Sequence, residues 1–315
     1  MRPRTSAGFA KFRPVAAGSR VALVAPASPF DRRQFDEGVV ELRRLGFEPV
    51  YDDTVFDRRG FVAGEARVRA DALMAALTRE DVDAVIAVRG GYGSVETLRY
   101  LDADRIRSAR TAFVGYSDVT SVHAYLATEV RLASVHGPMI DGRLATGTAA
   151  YDRASFLASL GTEPMGELSP EGLEVVRPGT ATGPLCGGTL TQLLASFGTP
   201  YEFRPPPGHV LFLEDVGERP YRLQRMLTQW RLAGRFEAAS AIVFGQFPKC
   251  DEPGGGATAR AAIHDVLADF PGPVLFGFPS GHASTPLVSL PLGVETRVVA
   301  DGAPRLVLDE AAAGE

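Results

Sequence analysis

The sequence predicts an α/β fold in two parts, an N-terminal parallel-sheet domain over residues 1–165 and a C-terminal mixed α/β domain over residues 170–310. Three observations predict it. Between residues 21 and 116, short apolar runs alternate with segments of helical spacing, the pattern of strands buried beneath helices on both faces of a parallel sheet. After about residue 165 that rhythm changes, and residues 161–188 are dense in Gly, Pro, Thr and Glu. A length of 315 residues is also more natural for two domains than for one.

Each element has its own signal. Val21-Ala-Leu-Val-Ala25 is a continuous apolar run and reads as the first strand. Residues 36–45 have helical spacing that stops at Gly46, and Phe47-Glu-Pro-Val-Tyr51 reads as the second strand, giving a βαβ opening. A helix follows over 65–78, then the buried-type strand Ala84-Val-Ile-Ala-Val88, a helix near 95–101, and a strand that turns into a helix at Ser117. Ligand sites in such sheets lie at the carboxyl ends of the strands. In the second part a Gly-led helix is expected over 187–196, a strand over 210–213, a helix over 221–232 and a strand over 241–244. Strands over 273–278, 296–300 and 305–308 close the chain. Leu223, Met226, Leu227 and Trp230 fall at i, i+3, i+4 and i+7, an apolar stripe for core or subunit contact rather than for a ligand.

Composition narrows the function classes. With 45% hydrophobic and 23% charged residues and a formal net charge of -5, the chain reads as an ordinary soluble globular protein and gives no reason to expect a nucleic-acid partner. No window approaches the length of a membrane-spanning helix, so no membrane partner is expected. Cys186 and Cys250 cannot make a disulfide framework and lack metal-ligand spacing, which fits a reducing, cytoplasmic compartment. The first twenty residues carry Arg2, Arg4, Lys11, Arg13 and Arg20 without an acid, but the apolar stretch of an export signal is missing, so they read as a frayed basic tail.

The chemistry concentrates at Thr111-Ala-Phe-Val-Gly-Tyr-Ser-Asp-Val-Thr120, an apolar strand that turns through Gly115-Tyr116-Ser117-Asp118 into a helix. A serine at such a turn projects Oγ from the sheet edge, with the first N–H groups of the helix beside it. Val119 stands where a full Gly-x-Ser-x-Gly elbow has its second glycine, and a serine there also serves as a helix cap. Arg89-Gly-Gly-Tyr-Gly93 follows the strand over 84–88, so its backbone lies at the same edge. With Ser117 as nucleophile, the Gly91 and Asp118 N–H groups are candidate oxyanion donors. Arg89 and Tyr92 are candidate substrate contacts, Arg89 as a cation for a carboxylate. Serine needs a base and an orienting acid. Glu214, Asp215 and Glu218 follow the strand over 210–213, and spacing does not separate them. Of the five histidines, His282 in Ser280-Gly-His-Ala-Ser284 follows a strand and stands out, with His136 as its rival. His123 and His264 read as helix-surface residues and His209 as part of a Pro-rich turn. No pair has metal-ligand spacing, so no catalytic metal and no cofactor is expected.

Six segments occurring in order make the pattern specific: Val24-Ala-Pro-Ala-Ser28, Arg89-Gly-Gly-Tyr-Gly-Ser94, Val114-Gly-Tyr-Ser-Asp-Val-Thr120, His136-Gly-Pro-Met139, Leu213-Glu-Asp-Val-Gly-Glu218 with Pro220-Tyr-Arg222, and Phe278-Pro-Ser-Gly-His282 with Pro291-Leu-Gly293. Together they resemble the LD-carboxypeptidase family, serine peptidases that include muramoyltetrapeptide carboxypeptidase and the microcin C7 self-immunity peptidase. The resemblance runs nearly end to end. It implies a flavodoxin/amidotransferase-like nucleophile domain, a second domain supplying acid and base, a homodimer, and a triad of Ser117, Glu214 and His282. The implied reaction is hydrolysis, through an acyl-enzyme, of the L,D-amide that releases a C-terminal D-alanine from murein tetrapeptides in peptidoglycan recycling. A peptidyl-nucleotide amide is the alternative substrate. It would be favoured by an aromatic side chain in the 140–186 stretch placed to stack on a base, where only Tyr151 and Phe156 occur. The sequence departs from the family at Thr189, where an asparagine is usual. A noncatalytic binding protein, with Ser117 as a helix cap, is the reading of another class, and it does not require the three residues to converge.

Overall fold

Residues 8–314 are described by the structure, a computed structural model. The first half contains β1 (Arg20–Val24), α1 (Arg32–Arg44), β2 (Glu48–Val50), α2 (Ala66–Thr78), β3 (Ala84–Ala87), α3 (Ala103–Ala109), β4 (Ala112–Gly115), α4 (Thr120–Tyr125), β5 (Ser134–His136) and α5 (Arg153–Leu160). Helices α1 and α3 start where short polar side chains satisfy free N–H groups: Asp31 accepts from Arg33 and Gln34, and Asp102 from Asp104 and Arg105. On α1 the buried Phe35, Val39 and Leu42 recur at helical spacing and face the sheet. All four residues of β3, and all four of β4, are buried, as strands covered on both faces must be.

The second half contains β6 (Gly166–Leu168), β7 (Glu174–Arg177), β8 (Thr180–Thr189), α6 (Leu190–Ala195), β9 (His209–Glu214), α7 (Pro220–Leu232), β10 (Ala239–Gly245), α8 (Ala259–Val266), β11 (Val274–Phe278), β12 (Leu290–Leu292), β13 (Glu295–Val299) and β14 (Arg305–Leu308). Eight strands form one mixed sheet in the order β6-β14-β13-β8-β9-β10-β11-β7, with β8 to β11 parallel and the flanking pairs antiparallel. Leu223, Met226, Leu227 and Trp230 of α7 are buried in the second core, the first of the two roles expected of that stripe.

The first sheet has the order β12-β5-β4-β3-β1-β2. Strands β5 to β2 are parallel, but β12 comes from the second half and pairs antiparallel with β5, Leu290 opposite His136. The chain that follows His282 therefore returns to the sheet that carries Ser117, and residues 170–310 do not stay within one sheet.

Several expectations are corrected. The segment near 95–101 is a 3₁₀ helix, Ser94–Tyr100, and the helix at Ser117 begins as the 3₁₀ turn Ser117–Val119 before α4. Residues 187–189 end strand β8 instead of opening a helix. A Cβ at Gly187 would lie 1.8 Å from the Phe212 carbonyl oxygen, so glycine here allows β8 and β9 to approach. The basic N-terminal stretch is not frayed where it is described: Ala10 and Phe12 bridge to Leu132 and Ala313, and the Arg13 main-chain N–H donates to the Arg110 carbonyl at 2.8 Å. Arg2 and Arg4 lie outside the described residues. His123 is buried, not on the helix surface, because every residue of α4 is buried. Its ring bonds the Ser134 hydroxyl at 2.8 Å and the Gly115 carbonyl at 2.9 Å. His209 begins β9 and is buried, held to the Pro206 carbonyl at 2.9 Å. No helix among the described residues is long and apolar enough to cross a membrane.

Candidate active site

Strand β4 ends at Gly115, and two residues later Ser117 adopts φ +66°, a left-handed conformation that costs an L-residue about 1–2 kcal/mol. The turn is tight on both sides. A Cβ at Gly115 would lie 2.6 Å from Val119 Cγ2, and one at Gly90 would lie 2.8 Å from Ser117 Cβ and 3.0 Å from its Oγ. Gly90 thus brings the Arg89–Gly93 loop directly against the serine. The same Gly90 position is 3.2 Å from the Asp118 nitrogen. The Asp118 carboxylate is turned inward, accepting the Ser94 N–H at 2.8 Å, so its main chain and not its side chain borders Ser117.

Glu214 closes β9, next to β8 on one side and β10 on the other. Its Oε2 accepts the main-chain N–H of His282 at 2.8 Å and bonds the His282 ring at Nδ1, also at 2.8 Å. Its Oε1 accepts the hydroxyl of Thr189, the residue paired with it across β8. Gly281 permits this approach at φ +73°, since a Cβ there would sit 2.5 Å from the Glu214 carboxyl carbon. The carboxylate is 1% exposed, yet its pKa is lowered: burial alone raises it, and the His282 ring, His136 and the Thr189 hydroxyl outweigh burial. For His282, burial opposes the charged form, but the Glu214 carboxylate overrides it and the net shift is upward. An imidazole paired in this way with a buried carboxylate has its cation stabilised.

The two halves meet at Tyr116. Its ring lies edge-on to the His282 ring, with centroids 5.1 Å apart, so the residue before Ser117 touches the histidine. Among the described residues Ser117 Oγ makes no hydrogen bond, and the His282 ring is bonded to Glu214 and not to Ser117.

Of the rival acids, Asp215 points at α6, its Oδ2 accepting the Thr191 N–H at 2.9 Å and hydroxyl at 2.6 Å; burial pushes its pKa up to about 6. Glu218 pairs with Arg222 at 3.7 Å. The rival His136 is fully buried in β5, and its Nδ1 bonds the Ser280 hydroxyl at 3.0 Å. Arg89 donates to the Pro29 carbonyl at 2.9 Å and lies 3.7 Å from the Asp141 carboxylate, so its charge is already engaged. Tyr92 is half-exposed and edge-on to Phe61, centroids 5.4 Å apart, while its N–H donates to Ser28 Oγ at 3.0 Å. Beyond the sequence reading stand Gly90, the Thr189 contact and Arg143, which donates to carbonyls around His282. Gly90 had a signal in its glycine run. Arg143 had none, because its partners are main-chain oxygens. A cavity of about 420 Å³ between β1, β2 and α2 is lined by none of Ser117, Glu214 and His282.

Residues 21–137 match the model of the LD-carboxypeptidase N-terminal domain, and residues 182–298 match that of the C-terminal domain. The chain therefore belongs to the LD-carboxypeptidase family and is a serine-type carboxypeptidase by that membership. It is 31% identical to the probable murein peptide carboxypeptidase of Bacillus subtilis, over 88% of each chain. It is also 31% identical to the murein tetrapeptide carboxypeptidase of Pseudomonas aeruginosa, over 84% of this chain and 88% of that one. The microcin C7 self-immunity protein MccF, solved in complex with aspartyl sulfamoyl adenosine, superposes with a TM-score of 0.90 over 97% of this chain and 100% of its own, at 23% identity, a likeness of fold.

Proposed function

We propose that the protein is a serine carboxypeptidase that hydrolyses the L,D-amide of murein tetrapeptides and releases the C-terminal D-alanine, with Ser117 as nucleophile, His282 as base and Glu214 as orienting acid. The observation that carries this reading is the buried Glu214 carboxylate bonded to both the ring and the main chain of His282, beside a serine held at φ +66°. His282 Nε2 takes the proton from Ser117 Oγ as the oxygen attacks the carbonyl carbon. The oxyanion meets the N–H groups of Gly91 and Asp118. The C–N bond then breaks, His282 returns the proton to the leaving D-alanine amine, and water attacking with the same base frees the acyl group from Ser117.

The murein substrate is supported by the names of the two 31% identical relatives. A peptidyl-nucleotide substrate is less favoured, because Tyr151 and Phe156 are both fully buried and the Tyr151 hydroxyl donates to Glu41 at 2.7 Å, leaving neither ring to stack on a base. The Glu214–His282 contact likewise counts against a noncatalytic binding protein. A cytoplasmic location, read from the two cysteines, and a homodimer, implied by the family resemblance, belong to the same reading. Acid quenching during turnover of murein tetrapeptide should trap a tripeptidyl ester on Ser117. Release of D-alanine with no such ester, at any quench time, contradicts the covalent route.

A further inference from the structure

We propose that Arg143 is a positioning residue that sets the base from the half of the molecule that carries the nucleophile. The inference rests on the reading of Ser117 and His282 given above. Arg143 follows β5 in the first half, yet its NH2 nitrogen donates to the carbonyls of Gly281 at 2.8 Å and Ala283 at 2.9 Å, the two neighbours of His282 in the chain. Its NH1 nitrogen donates to the Ala150 carbonyl at 2.9 Å and the Thr285 carbonyl at 3.4 Å. One planar guanidinium therefore straddles the histidine and ties its loop back to the first half. The fork geometry suits several fixed acceptors at once, which a point-charge ammonium does not match. The guanidinium carbon lies 5.9 Å from the centre of the Tyr116 ring, itself in contact with the His282 ring. Arg143 thus contacts both the residue before the nucleophile and the residues flanking the base. Both of its terminal nitrogens already have carbonyl partners, which distinguishes it from a cation waiting for a substrate carboxylate.

Arg143 also has an electrostatic effect. The charged groups that act on the His282 ring are Glu214 and Asp215, which favour its protonated form, and Arg143, which opposes it; Tyr116 and His136 pack nearby as neutral rings. The base works only when neutral, so Arg143 extends the working range of His282 toward lower pH. Removing the guanidinium loosens the loop and lets the imidazolium persist to higher pH.

The test is the rate at which diisopropyl fluorophosphate modifies Ser117, followed by mass spectrometry across pH. In that reaction Oγ bonds to phosphorus, fluoride leaves and His282 takes the proton, so the rate reports the alignment and ionisation of the base without requiring a peptide substrate. Arg143→Met should slow labelling about 10-fold or more and move its acid limb to higher pH, with Arg143→Lys in between. Thermal unfolding is measured alongside, and Arg143→Lys carries the test if the methionine variant does not fold. Labelling of both variants at the wild-type rate with an unmoved acid limb overturns the inference, as does a change in peptide KM alone. Wild-type protein that reacts nowhere at Ser117 would instead remove the triad reading, and this inference with it.

Discussion

Glu214 Oε2 lies 2.8 Å from both Nδ1 and the main-chain nitrogen of His282, so one carboxylate oxygen fixes the ring and the loop that bears it. With Nδ1 protonated toward Glu214, Nε2 is the nitrogen left to accept a proton. Glu214→Gln keeps the shape of this contact but loses the charge and permits the wrong tautomer. In steady-state kinetics kcat should fall roughly 10³- to 10⁴-fold.

The pH dependence follows from the same pair. Glu214 raises the His282 pKa against the opposing effect of burial, so activity should be lost as pH falls through a value above that of an ordinary imidazole. In Glu214→Gln the upward influence is gone, and the acid limb of the residual kcat/KM should move to lower pH. An acid limb that stays in place would mean that another group controls it.

Thr189 fills the second carboxylate oxygen. Thr189→Val preserves the volume and leaves Oε1 without that donor in a fully buried setting, a loss on the order of 1–3 kcal/mol in a site of this kind. Thr189→Ser restores the hydroxyl. Steady-state kinetics should show kcat reduced about 10-fold or more in the valine variant and near the wild-type value in the serine variant. Equal rates in all three would assign Thr189 no part in orienting Glu214.

Gly90 brings the glycine-rich loop against Ser117. A methyl group there would lie 2.8 Å from Ser117 Cβ and 3.2 Å from the Asp118 nitrogen, so Gly90→Ala must displace the turn. Activity should fall at least about 100-fold, the cost of misplacing reacting groups by roughly 1 Å. Circular dichroism should remain that of the wild type. Unchanged turnover would place the reacting serine in a different local conformation.

Much of this arrangement was legible in the sequence because it is local. The apolar run before Gly115 and the turn at Ser117 announce a strand feeding a helix, and the carboxylates after Leu213 announce a strand end. What escaped is set by contacts distant in the chain. Strand β12 is three residues long and contains Pro291, so its identity as a strand comes from pairing with β5, more than 150 residues earlier. His123 looked like a surface residue because helical spacing alone does not reveal that α4 is buried on all sides. The choice among Glu214, Asp215 and Glu218 was open from spacing, and in the structure Asp215 faces α6, Glu218 faces Arg222, and Glu214 meets His282.

Attack by Ser117 on a murein L,D-amide is the step on which the proposed function stands. The most direct measurement is release of free D-alanine from murein tetrapeptide by the wild-type protein and by Ser117→Ala, side by side in the presence of a chelator. The expected result is release by the wild type and none by the folded variant. Release by both at similar rates would contradict it, as would a folded wild-type protein that leaves the tetrapeptide intact.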